Sequence, residues 1–345
     1  MERKVNIRFI VLRNYAQYSE LIPINAPTLR MDSSGEVKMS LTGDFEANPA
    51  VNWLADEIQP VIEIDGNSEP LGVVIPATVR ENEDEASKSV YVEAYDRCWY
   101  VRDSLVETRP YFAYGTNYVD AIKQLLLQAG ITLVQAEPTT KEMIAREDWD
   151  IGTSRLDIIN QLLGEINYNE LWFNAQGVAI IAPAKKGNAE DINHVIDSGD
   201  IKSLMLPGIS AEMDVYNAPN VFICICSSAD RTAPVIATAE NTNPQSPLSI
   251  QRRGRRIVSV EYVENTPLDN ATLKDYAARK RNESMLVGQT IQLETALFPG
   301  YGAYDFTAVV GHGVDAVCKE RAWEMELRTG GTMKHTLEKV VYAFE

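Results

Sequence analysis

One helical motif occurs twice in this chain, and it limits the fold more than any other stretch. Residues 115–126 read GTNYVDAIKQLL and residues 152–163 read GTSRLDIINQLL, identical at seven of twelve positions. Each copy is a turn that feeds a helix. Thr116 or Asn117 in the first copy, and Thr153 or Ser154 in the second, supply a side-chain oxygen for the free amides of a helix start. Asn117 with Asp120, and Ser154 with Asp157, have the spacing of a capping box with Asp in the place of Glu. Apolar residues then recur at helical intervals: Val119, Ile122, Leu125, Leu126 and Ala129, and again Leu156, Ile159, Leu162, Leu163 and Ile166. Gly130 is placed to stop the first helix in a left-handed turn. Thr116, Asp120, Thr153, Ser154 and Asp157 therefore read as scaffold. The motif builds a scaffold and carries no pattern of groups that attacks or ligates.

A length of 345 residues accommodates two or three domains. The longest apolar runs, such as VFICIC at 221–226, are too short to span a bilayer, so no membrane insertion is expected. The N-terminus, MERKVNIRFIVLRNY, lacks the continuous apolar core of a signal peptide, which points to folding in a cytoplasm. Cys98, Cys224, Cys226 and Cys318 read as small buried hydrophobes. His194, His312 and His335 have no zinc-ligand spacing to those cysteines, so no metal and no cofactor is expected. A formal net charge of −17 argues against a nucleic-acid-binding surface, which needs a basic footprint. Arg252, Arg253, Arg255 and Arg256 are a local exception. They fit either a partner contact or ion pairs within the chain.

Three blocks follow from the patterning. Residues 1–107 read as strands: VKMSLTG (37–43), a hairpin of VIEID (61–65) and LGVVI (71–75) about Asp65-Gly66-Asn67, a loop tip ENEDE (81–85), and VYVEAYD (90–96). Residues 108–200 hold the two helices, ITLVQ (131–135), a second hairpin of LWF (171–173) and VAIIA (178–182), and a linker over 185–200. Residues 201–345 return to strands at 220–228, 235–241, 257–263, 289–294 and 306–310, with a helix at 269–287 carrying Leu273, Tyr276, Ala277 and Met285. In WEMELR (323–328), Trp323, Met325 and Leu327 alternate with charged residues, as in a half-buried strand that a TGGT turn joins to a closing strand ending at Phe344. The expected class is α+β, mostly β. It comprises two small β-barrel domains with an inserted α/β segment and a helix within the second barrel domain.

Catalytic chemistry finds little support. His312 in GHGVD lies near Asp315, but no G-x-S-x-G or H-E-x-x-H motif accompanies it, and a histidine among glycines reads as a turn residue. LRTGGTMK (327–334) lacks the ending of a phosphate loop. Asp148 and Asp150 precede a helix N-terminus, where negative charge is favourable in any case. Trp149 between them reads as an anchor that packs the insertion onto a barrel. Tyrosines suit protein interfaces. The loop FPGYGAYD (298–305), with Tyr301 and Tyr304, is the preferred interface candidate because glycines beside aromatics are hard to place in a core.

Several segments in order, AYDRCWYV (94–101), WDIGTSRLDIINQLL (149–163), INYNELWF (166–173) and VYNAPNVFI (215–223) through NTNPQSPLSIQRRGRRIV (241–258), resemble phage baseplate hub proteins. These are the hubs of contractile-tailed phages, defective prophages and phage-tail-like bacteriocins (tailocins), all contractile injection systems. The resemblance runs from about residue 45 to the end. It implies a homotrimer whose six barrels form a pseudo-six-fold ring, a symmetry adaptor joining the tail tube or tube-initiator protein to the central spike. It also implies contact with the tape-measure protein, DNA passage through an acidic lumen without specific binding, and a place in a virion or tailocin baseplate assembled in the host bacterial cytoplasm. Such a hub is a structural protein and not an enzyme. The competing reading is a cell-wall-directed tail protein, with the inserted helices as a LysM-like glycan-binding unit or a degenerate hydrolase.

Overall fold

A computed structural model of the chain describes residues 3–83, 88–200, 204–212, 218–227, 234–264, 270–287 and 289–340. The first strand block comprises β1 (Val5–Arg13), β2 (Ala16–Leu21), β3 (Thr28–Asp32), β4 (Met39–Glu46), β5 (Glu57–Ile64), β6 (Asn67–Pro70), β7 (Ile75–Glu83) and β8 (Lys88–Tyr95). A short helix α1 (Cys98–Asp103) follows it. The hairpin at Asp65-Gly66 forms, but its return strand is β6 and not 71–75, because Ile64 pairs directly with Asn67 across the two-residue turn. Both turn residues have positive φ (51° and 88°), as the tight primed turn requires. Of the predicted loop tip, Glu81 to Glu83 complete β7, and positions 84 and 85 lie outside the described residues.

The insertion contains β9 (Tyr111–Phe112), α2 (Tyr118–Gln128), β10 (Val134–Ala136), β11 (Glu147–Asp148), α3 (Arg155–Glu165), β12 (Trp172–Phe173) and β13 (Ala179–Ile181). The repeated motif builds its centre. Val119, Ile122, Leu125 and Leu126 of α2 meet Leu156, Ile159, Leu162 and Leu163 of α3 in one buried cluster. Truncating any of these to Ala is in the class of change that costs about 2–5 kcal/mol. Gly130 ends α2 at φ 83°, with the Gly130 amide donating to Leu127 O and the Ile131 amide to Leu126 O, the paired bonds of a Schellman stop.

The last block holds β14 (Ile192–Asp197), β15 (Met205–Glu212), β16 (Val221–Ser227), β17 (Val235–Glu240), α4 (Ile250–Arg253), β18 (Val258–Glu264), α5 (Asn270–Val287), β19 (Thr290–Ala296), β20 (Phe306–Gly311), β21 (Val314–Glu326) and β22 (Thr332–Lys339). Three expectations are corrected here. The 185–200 linker contains β14, which pairs in parallel with β20 and buries Ile196 beside Leu293 and Val309. Its pairing partner is more than a hundred residues away, so no local signal marks it. Second, residues 201–345 hold more than one sheet. Strands β16, β17 and β18 form a separate sheet against which α5 packs Leu273 and Ala277, interposed between β15 and β19, which pair with each other. The Met285 side chain and the chain end at Phe344 lie outside the described residues.

Third, the two strand blocks share one sheet, whose order β15-β19-β22-β21-β3-β4-β8-β7 crosses from one block to the other at β21 and β3. The cause is the length of β21. Its first half pairs with β20, and its second half, Ala322–Glu326, pairs with Asp32–Thr28 of β3. The alternation in WEMELR is present, but Trp323, Met325 and Leu327 point into the core of the first block, beside Phe9, Leu41, Phe45 and Ile62. Above that core lies the four-stranded sheet β2-β1-β5-β6.

Candidate functional site

The caps of the repeated motif resolve to Asn117 and Ser154. The Asn117 carboxamide accepts from the amides of Val119 (3.0 Å) and Asp120 (3.3 Å), and the Ser154 hydroxyl accepts from Leu156 N (3.1 Å). Thr116 and Thr153 sit one residue outside; Thr153 Oγ1 donates to Asp150 O at 2.8 Å and tightens the preceding turn. Asp120 and Asp157 are exposed in the first helical turns, where they face the positive end of the helix dipole. Ser154→Ala is expected to cost about 1 kcal/mol; a urea midpoint equal to that of wild type would refute the cap.

Trp149 packs differently from the expectation. Its indole N–H donates to Gln161 Oε1 (2.9 Å), and its ring meets Phe112 edge-on at 6.0 Å, so it closes the insertion's own core and does not seat on a barrel. Gln161 Nε2 in turn donates to Glu165 Oε1 at 3.0 Å. Glu165 and Glu147 are both buried, with Tyr118 alongside. Burial, and then the charge of Glu165, push the Glu147 carboxyl up to about 8.

The insertion is joined to the first block through residues 94–101. Asp96 accepts the amides of Met39 (2.8 Å) and Lys38 (3.1 Å) with one oxygen and that of Cys98 (2.8 Å) with the other. Burial nonetheless lifts it to about 6. Arg97, also buried, makes a forked pair with Glu57 (2.8 and 2.6 Å) and reaches Gly177 O in the second hairpin of the insertion. Gly177 has φ 73°, and a Cβ there would stand 2.9 Å from Val73 and 3.1 Å from the Arg97 guanidinium, so glycine is required. Lys38 spans the same joint, with Nζ 2.6 Å from Glu170 and 2.7 Å from Gly35 O. Sequence reasoning singled out 94–101 as a motif but missed this role, since Glu57, Glu170 and Gly177 are remote in the chain.

The interface loop is also corrected. Tyr301 is not presented outward; it stacks on His194 (3.8 Å between centroids) and meets His335 edge-on at 4.9 Å. His194 Nε2 lies 3.1 Å from Asp305, and the fully buried His335 sits between Glu320 (3.2 Å) and Thr295 Oγ1 (3.0 Å). Burial raises the Glu320 carboxyl and His335 opposes that shift. Tyr304 packs edge-on against Trp172 at 5.3 Å and donates to Ser33 O. Tyr301 and Tyr304 both pack against partners from other elements, so the aromatics of this loop face inward. Glu320 and His335 are sealed from solvent and pair β21 with β22 inside the last block, while the Tyr304 bond to Ser33 O reaches the first block. Two histidines considered earlier only as zinc ligands form the centre of this cluster. His312 occupies the β20–β21 turn at φ 51°.

The arginine cluster surrounds α4, capped by Ser249 and stopped by Gly254 at φ 64°. Arg256 pairs with Glu240 at 2.7 Å, Arg253 donates to Ala218 O, and Arg252 Nε donates to Pro244 O at 3.0 Å. The ion-pair reading thus holds for Arg256, while the Arg252 and Arg255 side chains are exposed. All four cysteines are buried and none forms a disulfide. Among the described residues no group of three or more potential ligands could hold a metal ion, and no helix is long and apolar enough to cross a membrane.

No family model and no curated protein matches the chain. Solved structures do. The tail protein from Neisseria meningitidis MC58 is similar over 96% of this chain and 96% of its own, with a TM-score of 0.68 and 13% identity. The 43 kDa tail protein of prophage MuSo2 from Shewanella oneidensis gives 0.67 and 11%, over 97% and 98% of the two chains. The E. coli c3393 protein, a type VI secretion component with structural similarity to the T4 bacteriophage tail proteins gp27 and gp5, gives 0.54 and 9%, over 99% and 79%. At these identities the likeness is one of architecture. The chain has a β-rich α+β fold, and it is the fold of phage tail proteins, from end to end.

Proposed function

We propose that the chain is a structural baseplate hub of a phage tail or phage-tail-like particle, a homotrimeric ring that joins the tail tube to the central spike. The observation that carries this reading is the whole-length match in fold to tail proteins, spanning both strand blocks and the insertion together. The internal chemistry fits the role. Arg97, paired with Glu57 in the first block, reaches Gly177 O of the insertion, and His335 pairs with Glu320 inside the last block; these buried charged groups are structural contacts and are not open to a substrate. In the ring, the net charge of −17 per chain would line a lumen past which DNA and the tape-measure protein move without adhering. The ring would assemble in the host cytoplasm and end in the baseplate.

Light scattering on the purified chain across a concentration series tests this. A mass near three 38.5 kDa chains is expected. A monomer at every concentration, together with retention on isolated cell walls, would replace the hub with the glycan-binding reading.

A further inference from the structure

The three-stranded sheet of the last block has apolar side chains on both faces. One face, Cys224, Cys226, Ala237 and Ala239, is covered by α5. The opposite face is open: Ile236 is 55% exposed, Val258 49%, Val260 48% and Tyr262 69%. Register places Ile223 beside Val260, and Ile225 between Tyr262 and Ile236, so these six side chains form one continuous patch. Strand β18 reads VSVEYVE with its apolar alternates outward, while Glu261 on the other side bonds Tyr276 of α5. A strand that turns its β-branched residues to water is built to be covered. Arg252 and Arg255, a few residues ahead of Val258, are exposed and have no acidic partner among the described residues.

A second open surface has the complementary character. On the first block, Ile24, Val51 and Trp53 line a groove with Glu46 and Glu81 on its rim. Ile24 is 50% exposed, and both glutamates are exposed without an ion-pair partner among the described residues. Lys88 in the same groove is engaged by Glu83 at 2.7 Å. Within one chain neither surface covers the other.

We infer that the apolar face of β16–β18 seats in the Ile24–Trp53 groove of a second copy of this chain, with Arg252 and Arg255 against Glu46 and Glu81. The inference rests on the ring-forming reading above and specifies its contact. Joining two different surfaces head to tail is the geometry that closes a ring, whereas a self-complementary patch stops at a dimer. On a chain this acidic, a basic spot beside an apolar face also sets the direction from which a like-charged copy approaches.

The test is sedimentation velocity on the full chain over a concentration range. Arg252→Glu with Arg255→Glu, and separately Glu46→Arg with Glu81→Arg, are each expected to weaken self-association roughly tenfold or more. All four changes in one chain should recover most of it. Val260→Ser with Tyr262→Ser should weaken association while leaving the unfolding midpoint in place. If the charge-reversed pairs keep the wild-type mass, or the fourfold variant does not recover, these two surfaces do not meet, and a trimeric wild type would still support the hub. A wild type that stays monomeric at every concentration overturns this contact, and with retention on isolated cell walls it overturns the hub as well.

Discussion

Arg97→Ala is expected to destabilise the chain by about 3–5 kcal/mol, the range for removing one partner of a buried charged pair. The guanidinium is almost entirely enclosed, and its loss strands two groups at once: the Glu57 carboxylate, itself largely covered, and the carbonyl of Gly177. Arg97→Lys should recover only part of the loss. A single ammonium cannot form the fork to Glu57 and also reach the hairpin carbonyl. Arg256→Ala serves as the control, since it breaks a pair with Glu240 whose side chains are 52% and 36% exposed and should shift the urea midpoint little. If Arg97→Ala and Arg256→Ala moved the midpoint equally, the joint would not hold the insertion as described. Because Arg97 links the first block to the insertion, the variant should also expose the 174–177 turn to protease before the rest of the chain.

What could be read from the sequence was what is decided over a few residues. The caps at Asn117 and Ser154, the stop at Gly130 and the alternation of Trp323, Met325 and Leu327 all depend on side chains within a turn or a strand of one another. What escaped depends on partners far along the chain. Trp323 reads as buried, but nothing near it says that its face fills the core of a block that begins more than three hundred residues earlier. The strand INHVID at 192–197 reads as linker because its stability comes from parallel pairing with 306–311. Tyr301 and Tyr304 were misread for a related reason. Glycine-rich sequence signals a loop, but the partners that bury its aromatics, His194 and Trp172, are more than a hundred residues away. Of the candidate site residues, the arginine cluster was legible as a patch of charge. Its division into the paired Arg256 and the exposed Arg252 and Arg255 required Glu240 in place.

The second large effect concerns pH. Glu147 and Glu165 face each other inside the insertion, and burial with the like charge holds Glu147 near 8, against an ordinary value of 4.5. The folded chain therefore keeps a proton that the unfolded chain releases. The stability this contributes is complete below 4.5 and is lost as pH rises through about 8, at up to about 1.4 kcal/mol per pH unit. Opposite behaviour comes from Asp56 and Glu20, which Arg13 and Arg8 hold below their ordinary values and which lose their contribution in acid. The raw stability profile mixes the two, so the informative quantity is the difference between wild type and Glu147→Gln. Glutamine keeps the shape, carries no charge and can donate to Glu165. At pH 5 the two proteins should be similar, and at pH 8.5 the variant should be more stable by an amount on the order of a few kcal/mol. The charged group facing Glu147 is Glu165; Tyr118 beside it has its hydroxyl raised by burial and stays neutral, and among the described residues no cation offsets the trend. A difference that does not change between pH 5 and pH 8.5 would mean that Glu147 is ionised in the folded chain, and that the charge of Glu165 is compensated elsewhere. A difference that opens as described would make the insertion the part of the chain whose packing tightens when a proton is bound.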